Sequence, residues 1–243
     1  MPFMIAIGNF FFTYRNGLFI ILYILLFTPS PPLFTSEING ENYYLYSVII
    51  GMVITITGQI IRCVTIALAY IIRGGKDRKL YAEDLVTNGI FAHCRNPLYA
   101  GNILMLTGVG ILSNSLIYIV VVIPVFIFIY HAIVLAEENF LRNKFGDKFN
   151  SYCNSVNRWI PSLKGIRKTF KNSRFNWQRY VIKEYNTFFL WLGGITLLLL
   201  LNYPQLTHFD KNLRNRLLFI IFPLLILGYL FVRFLKKSGR LRE

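Results

Sequence analysis

The sequence predicts an all-α, polytopic transmembrane helical bundle of about six spans, and three observations carry that expectation. Apolar residues make up 55% of the 243 positions, where soluble domains average ~45–50%. Charged residues make up only 15% against a usual ~25%, and the mean hydropathy is +0.49. The apolar residues also fall in runs that approach the about 20 helical residues needed to cross hydrocarbon. A disordered chain needs low hydrophobicity, and a soluble 28.3 kDa domain has too much surface to hide this much apolar side chain.

In chain order, the first span is expected at 17–34, preceded by Arg15 and broken at its far end by Pro29, Pro31 and Pro32. The second, 43–72, is longer than one crossing and carries Gln59 and Arg62 in its second half. Spans 97–112 and 115–136 are joined only by Ser113 and Asn114, which predicts a tight helical hairpin. Spans 186–201 and 215–235 follow a long polar segment.

The net charge of +15 arises from 26 Lys and Arg against 11 Asp and Glu. The cations cluster between apolar runs instead of forming one solvated face, so nucleic acid is not an expected partner and anionic lipid headgroups are. The first connection holds Glu37 and Glu41 and no cation. The next holds Arg73, Lys76, Arg78, Lys79 and Arg95; the stretch after the hairpin is basic from Arg142 to Lys183; the tail carries Lys236, Lys237, Arg240 and Arg242. By the positive-inside rule both termini and both basic loops are cytoplasmic; the connection 208–216, also basic, runs against it. Residues 1–12 carry no charge and lack the basic start of a secretory signal. Cys63, Cys94 and Cys153 form no C-x-x-C, so no disulfide framework or zinc knuckle is indicated.

Two polar clusters flank the hairpin and emerge on one face. The first is His93-Cys94-Arg95-Asn96-Pro97-Leu98-Tyr99-Ala100-Gly101-Asn102, preceded by Thr87-Asn88-Gly89. Pro97 suits a first helical turn and Asn96 a helix cap, so a capped helix entry with Tyr99 in the aromatic belt is one reading. The second is Glu137-Glu138, followed by Leu141, Phe145-Gly146, Phe149, Tyr152, Arg158 and Ile160-Pro161. Two acids at a helix C-terminus oppose its dipole, and at a bilayer boundary they are either neutralised by a partner such as Arg95, Arg142 or Arg158, or functional.

The run Thr87-x-Gly89…His93-x-Arg95-Asn96-Pro97-x-Tyr99-x-Gly101, followed across a hairpin by Glu137-Glu138-x-x-Leu141…Phe145-Gly146…Tyr152…Arg158-x-Ile160-Pro161, resembles the isoprenylcysteine carboxyl methyltransferase and phospholipid methyltransferase superfamily. These are integral-membrane enzymes that use S-adenosylmethionine. The resemblance covers roughly residues 85–163 and implies a cofactor pocket at the cytoplasmic ends of the central hairpin. It would put His93, Arg95, Asn96, Pro97 and Tyr99 around the methionine part of the cofactor, Glu137 and Glu138 against its polar groups, and Tyr152 and Arg158 closing the pocket. Many members have His where Asn96 stands; Asn does not titrate near neutrality, so a base at that position does not carry over. No G-x-G-x-x-G follows a predicted strand, in keeping with a pocket that is not a Rossmann domain.

Methyl transfer from a sulfonium asks mainly for alignment and exclusion of water. Arg95, Glu138 and Arg158 are the residues expected to carry the chemistry, with either arginine available to an anionic acceptor, and no metal is expected: the His93-Cys94 pair lacks a zinc ligand set. Cys94 and Cys153 read as small packing residues. The acceptor, a lipid or prenylated molecule with a carboxylate, phosphate or amine, is expected from the bilayer. Gln59 and Arg62 are candidates to line its entrance, the alternative for Arg62 being to snorkel to the interface.

This divides the chain into N-terminal spans (1–84), a cofactor-binding hairpin and motif region (85–163), a basic amphipathic connector (164–185) and a C-terminal helix pair (186–243) for which the sequence suggests no mechanistic role. Two rival readings remain open: an NADPH-dependent membrane reductase of the sterol-reductase type, which shares the Pro-x-Tyr-x-Gly turn, and a non-catalytic lipid-binding or transport protein.

Overall fold

The computed structural model describes residues 2–69 and 80–241. The expected end of the second span at Ile72, the basic residues Arg73, Lys76, Arg78 and Lys79, and Arg242 of the tail lie outside the described residues.

The helices are α1 (Pro2–Ile24), the short α2 (Ser36–Asn39), α3 (Tyr43–Leu68), α4 (Pro97–Leu112), α5 (Ile123–Phe145), α6 (Asp147–Ser155), α7 (Ile166–Asn172), α8 (Trp177–Asn202) and α9 (Lys211–Lys237). Among the described residues, five stretches are long and apolar enough to cross a membrane, namely Pro2–Phe27, Tyr43–Leu68, Tyr118–Phe145, Trp177–Asn202 and Lys211–Lys237, and the shorter apolar Pro97–Leu112 packs among them. The expected bundle of about six helices is therefore present, but three boundaries move. The first helix begins at Pro2 instead of residue 17, so Arg15 lies inside it and not in a loop before it. The fifth begins at Trp177, absorbing the last part of the expected 164–185 connector, and α7 lies within the rest. The fourth runs on to Phe145.

Local sequence explains the ends. Pro97 opens α4 without an orphan N–H. Pro124 cannot donate to the helical ladder, and a π turn at Tyr118–Val122 accommodates the start of α5. Asn176 caps α8 by accepting from the Arg179 N–H at 2.8 Å, and Asp210 caps α9 through the Asn212 and Leu213 N–H groups. The α4–α5 turn holds Asn114 at φ 55°, a left-handed conformation that Asn tolerates. Its side chain accepts from the Phe34 N–H (2.8 Å) and donates to the Phe34 carbonyl (3.1 Å), tying the turn to the end of the first span.

α3 and α4 cross closest, antiparallel, through two pairs of glycines. A Cβ on Gly51 would sit 2.8 Å from the Gly108 carbonyl oxygen, and one on Gly58 would sit 2.6 Å from that of Gly101. Midway, Thr55 donates to the Met105 carbonyl at 3.1 Å. Lipid tails are as apolar as leucine, so helices associate in a bilayer by this kind of close backbone approach. α1 packs along α5, with Gly8 against Ala132 and Ala136, while α8 packs on α3, α4 and α9. α9 faces outward enough that none of its residues is buried. The alternating directions bring the start of α1, the ends of α3, α5 and α9, and the starts of α4 and α8 to one end of the bundle.

Candidate active site

Two distant segments meet at that end through backbone bonds. The Arg95 N–H donates to the Asn157 carbonyl and the Ser162 N–H to the His93 carbonyl, both at 2.9 Å. This pairing lays 93–96 beside 157–162 and brings Arg158 to the last turns of α5. There Glu138, 4% exposed, accepts two bonds from Arg158, Nε to Oε1 at 3.0 Å and Nη2 to Oε2 at 2.8 Å, with Arg95 Nη1 3.6 Å from Oε1. The bidentate geometry is the strong form of such a pair, and the bond to Glu138 pushes the Arg158 guanidinium up from its ordinary value. The adjacent Glu137 accepts from the Tyr99 hydroxyl at 2.6 Å, and Tyr99 packs against the Tyr130 ring at 5.4 Å.

A cavity of about 900 Å³ opens between these groups. Arg95, Asn96, Pro97, Tyr99, Glu137, Glu138 and Tyr152 all line it, so the two sequence clusters share one space. Its other walls come from Phe12, Arg15, Phe19 and Tyr23 of α1, Arg62 of α3, Asn102 of α4, Tyr130 of α5 and Thr187 of α8. Tyr152 on α6 donates to the Phe91 carbonyl at 2.7 Å, and burial raises its phenol well above the usual range, so it stays a neutral donor. Burial likewise pushes up the Cys94 thiol, whose sulfur lies 3.5 and 3.4 Å from the Arg158 and Trp159 carbonyls, as befits a packed thiol.

Several sequence expectations land elsewhere. His93 is not among the cavity-lining residues; its ring nitrogens engage the Ser162 carbonyl and the Thr169 hydroxyl, both at 2.8 Å, pinning α7 beneath the motif. Asn96 precedes α4 as a cap residue would, but its side-chain amide donates to the Arg158 carbonyl at 3.2 Å and makes no cap bond. Arg158 reaches the site through Glu138 and is not among the lining residues. Gln59 is also outside the lining; it donates to the Tyr180 hydroxyl at 3.2 Å.

Arg62 does not snorkel. It is 4% exposed and forms a two-pronged pair with Glu184 of α8, Nε–Oε1 and Nη2–Oε2 each at 2.7 Å, while Nη1 bonds Asn102. Glu184, 0% exposed, is a partner that sequence reasoning missed. The signal was present: it is the one acid between Lys164 and Asp210, facing the one cation of the second span. Arg15 and Asn16 of α1 and Thr187 of α8 were missed as cavity residues because each reads as a span flank.

The cavity thus joins both polar clusters within the stretch from α3 to α6. Residues 46–148 match the phospholipid methyltransferase family. The matched stretch carries Arg95, Asn96, Pro97, Tyr99, Glu137 and Glu138, and over it the resemblance drawn from the motifs is borne out; Tyr152 and Arg158 lie beyond its end. Among curated proteins the chain is 34% identical over 79 residues to the cobalt-zinc-cadmium resistance protein CzcN of Cupriavidus metallidurans, covering 32% of this chain and 36% of that protein. It is 29% identical over 86 residues to the nickel-cobalt-cadmium resistance protein NccN of Alcaligenes xylosoxydans xylosoxydans, covering 35% of this chain and 40% of that one. The chain therefore spans less than half the length of these relatives. No solved structure matches it.

The residues present fit the cofactor that the family resemblance implies. Arg95 keeps a buried Nε without a hydrogen-bond partner among the described residues, a donor available to a carboxylate. Glu137 is a carboxylate suited to an ammonium or to hydroxyls, and the Tyr99 and Tyr130 rings suit a cationic sulfur. The volume is at the upper end of ordinary ligand pockets, ~300–1,000 Å³, which leaves room for a second, apolar reactant.

Proposed function

We propose that the protein is a membrane methyltransferase that uses S-adenosylmethionine and methylates a lipid or prenylated acceptor, with its cavity open to the cytoplasm. The observation that carries this reading is the convergence of Arg95, Asn96 and Tyr99 with Glu137 and Glu138 on one cavity, within the segment matched to the family. Bound there, S-adenosylmethionine supplies a methyl group on a positively charged sulfur, an electrophile with its leaving group built in.

The chain's own residues then have three tasks. Arg95 binds the amino-acid carboxylate, and Glu138 orients Arg95 while holding Arg158 against the motif. Glu137, steadied by Tyr99, receives the polar hydrogens of the cofactor. The aromatic wall of Phe12, Phe19, Tyr23 and Tyr130 excludes water and receives the acceptor's apolar part, so alignment provides much of the rate. No side chain needs to act as a base for a carboxylate or phosphate acceptor, consistent with Asn at position 96. The cytoplasmic assignment rests on Lys236, Lys237 and Arg240 of the tail, on Arg95 and on the basic stretch that follows α5 gathering at the cavity end.

The test is calorimetry on the detergent-solubilised full chain with S-adenosylmethionine and with NADPH, coupled to lipidomics of cells with and without the gene. Binding of the former and a lipid gaining one methylene in mass are expected, and Arg95→Ala is expected to lose both. Tight NADPH binding with no response to S-adenosylmethionine would replace this reading with the reductase.

A further inference from the structure

Arg15, Arg62, Arg95 and Arg179 line the cavity, and Arg179 has an interaction partner of its own. Arg95 and Arg158 share Glu138, and Arg62 is held by Glu184. Arg15 is different. It lies well inside α1 and lines the cavity, and its guanidinium sits 4.5 Å over the Phe12 ring with no carboxylate paired to it among the described residues. A cation within a membrane helix is costly unless it meets a polar cavity or a ligand, and stacking on one ring offsets only a small part of that. Arg15 shares the cavity with Tyr99 and Glu137, which line it as well.

The surroundings of Arg15 are greasy. Phe12, Phe19 and Tyr23 of the same helix line the cavity beside it. α1 lies outside the family-matched residues 46–148, so this wall belongs to the part of the chain that the family does not account for. Asn16 of α1 and Thr187 of α8 line the same cavity, although α1 packs along α5 and α8 along α3, α4 and α9.

We propose that Arg15 selects the acceptor, binding the anionic oxygens of a phosphate- or carboxylate-headed lipid whose chain lies along Phe12, Phe19 and Tyr23. Arg15 is then a specificity-determining residue, and the acceptor is an anionic lipid and not an amine. Naming that lipid the acceptor rests on the methyltransferase reading; the binding itself does not.

The experiment reads lipid and cofactor separately. Full-length protein in micelles containing phosphatidylcholine, phosphatidic acid and oleic acid is analysed by native mass spectrometry for retained lipid, without cofactor, and S-adenosylmethionine affinity is measured by calorimetry. The wild type is expected to retain an anionic lipid over phosphatidylcholine. Preference for phosphatidic acid assigns a phosphate head, and preference for oleic acid a carboxylate. Arg15→Gln is expected to lower that preference at least about tenfold, the effect of one charge-assisted hydrogen bond, with S-adenosylmethionine affinity unchanged. An undiminished preference in Arg15→Gln overturns the proposal, as does loss of cofactor affinity with the lipid preference intact, which would make Arg15 a cofactor ligand. Arg15→Met, which keeps the stem over Phe12 and is at home in a membrane helix, carries the same outcomes if the Gln variant does not fold. A wild type that retains anionic lipid but binds no S-adenosylmethionine overturns the methyltransferase reading and supports the lipid site.

Discussion

Glu137 and Glu138 are neighbours in sequence with different tasks. Glu138 neutralises Arg158 in a two-pronged pair and faces Arg95, whereas Glu137 takes one phenol. Removing one partner of a buried pair leaves an uncompensated charge, which costs roughly 3–5 kcal/mol. Removing a neutral donor from a buried acceptor costs about 1–3 kcal/mol. Glu138→Ala is therefore expected to destabilise the protein more than Tyr99→Phe in detergent unfolding, and equal losses would contradict the assignment of the two carboxylates. The adjacency was legible in the sequence, as was a partner among Arg95, Arg142 and Arg158, of which Arg142 bonds Asn150 instead. That Arg95 and Arg158 converge on one carboxylate was not, because it depends on the backbone hydrogen bonds that join 93–95 to 157–162.

Helix contacts in this bundle are of two physical types. α3 and α4 meet through glycines, so added volume is what they cannot accept. Gly58→Leu is expected to cost about 1–3 kcal/mol by forcing the backbones apart, since even a Cβ would lie 2.6 Å from the Gly101 carbonyl oxygen. Gly194→Ala, where nothing lies within 4 Å, is the neutral control. Melting temperatures in one detergent compare them directly. α3 and α8 meet instead through the Arg62–Glu184 pair and the Trp191 to Thr55 hydrogen bond at 2.7 Å. Arg62→Met and Glu184→Leu are each expected to be strongly destabilising, about 3–5 kcal/mol, while the double variant approaches wild type. A double variant as unstable as the sum of the singles would show that the pair does more than cancel its own charges. Arg62 is one of the few charges in the apolar runs and so announced itself; its partner, 122 residues away, did not.

At the scale of the whole molecule, the described ends and the basic stretch after α5 gather on the cavity side, while the basic 208–216 connection lies at the other end beside the α4–α5 turn, which makes orientation testable. A fluorescent-protein fusion at the C-terminus is expected to fluoresce and an alkaline phosphatase fusion there to be inactive, with the opposite pattern for fusions in the 36–42 connection. The reverse result would put the cavity outside. The number of helices, the α4–α5 hairpin and the shared side of the two clusters all followed from the sequence, because apolar run length, Pro and Asn turn chemistry and charge alternation act locally along the chain. Tertiary structure alone decided that the first helix starts at Pro2 and turns Arg15 into the cavity, that His93 braces α7, and that Glu184 meets Arg62. Those outcomes depend on how far each helix is rotated about its axis and which backbone it can approach, and a buried charge takes the partner that this geometry brings within reach.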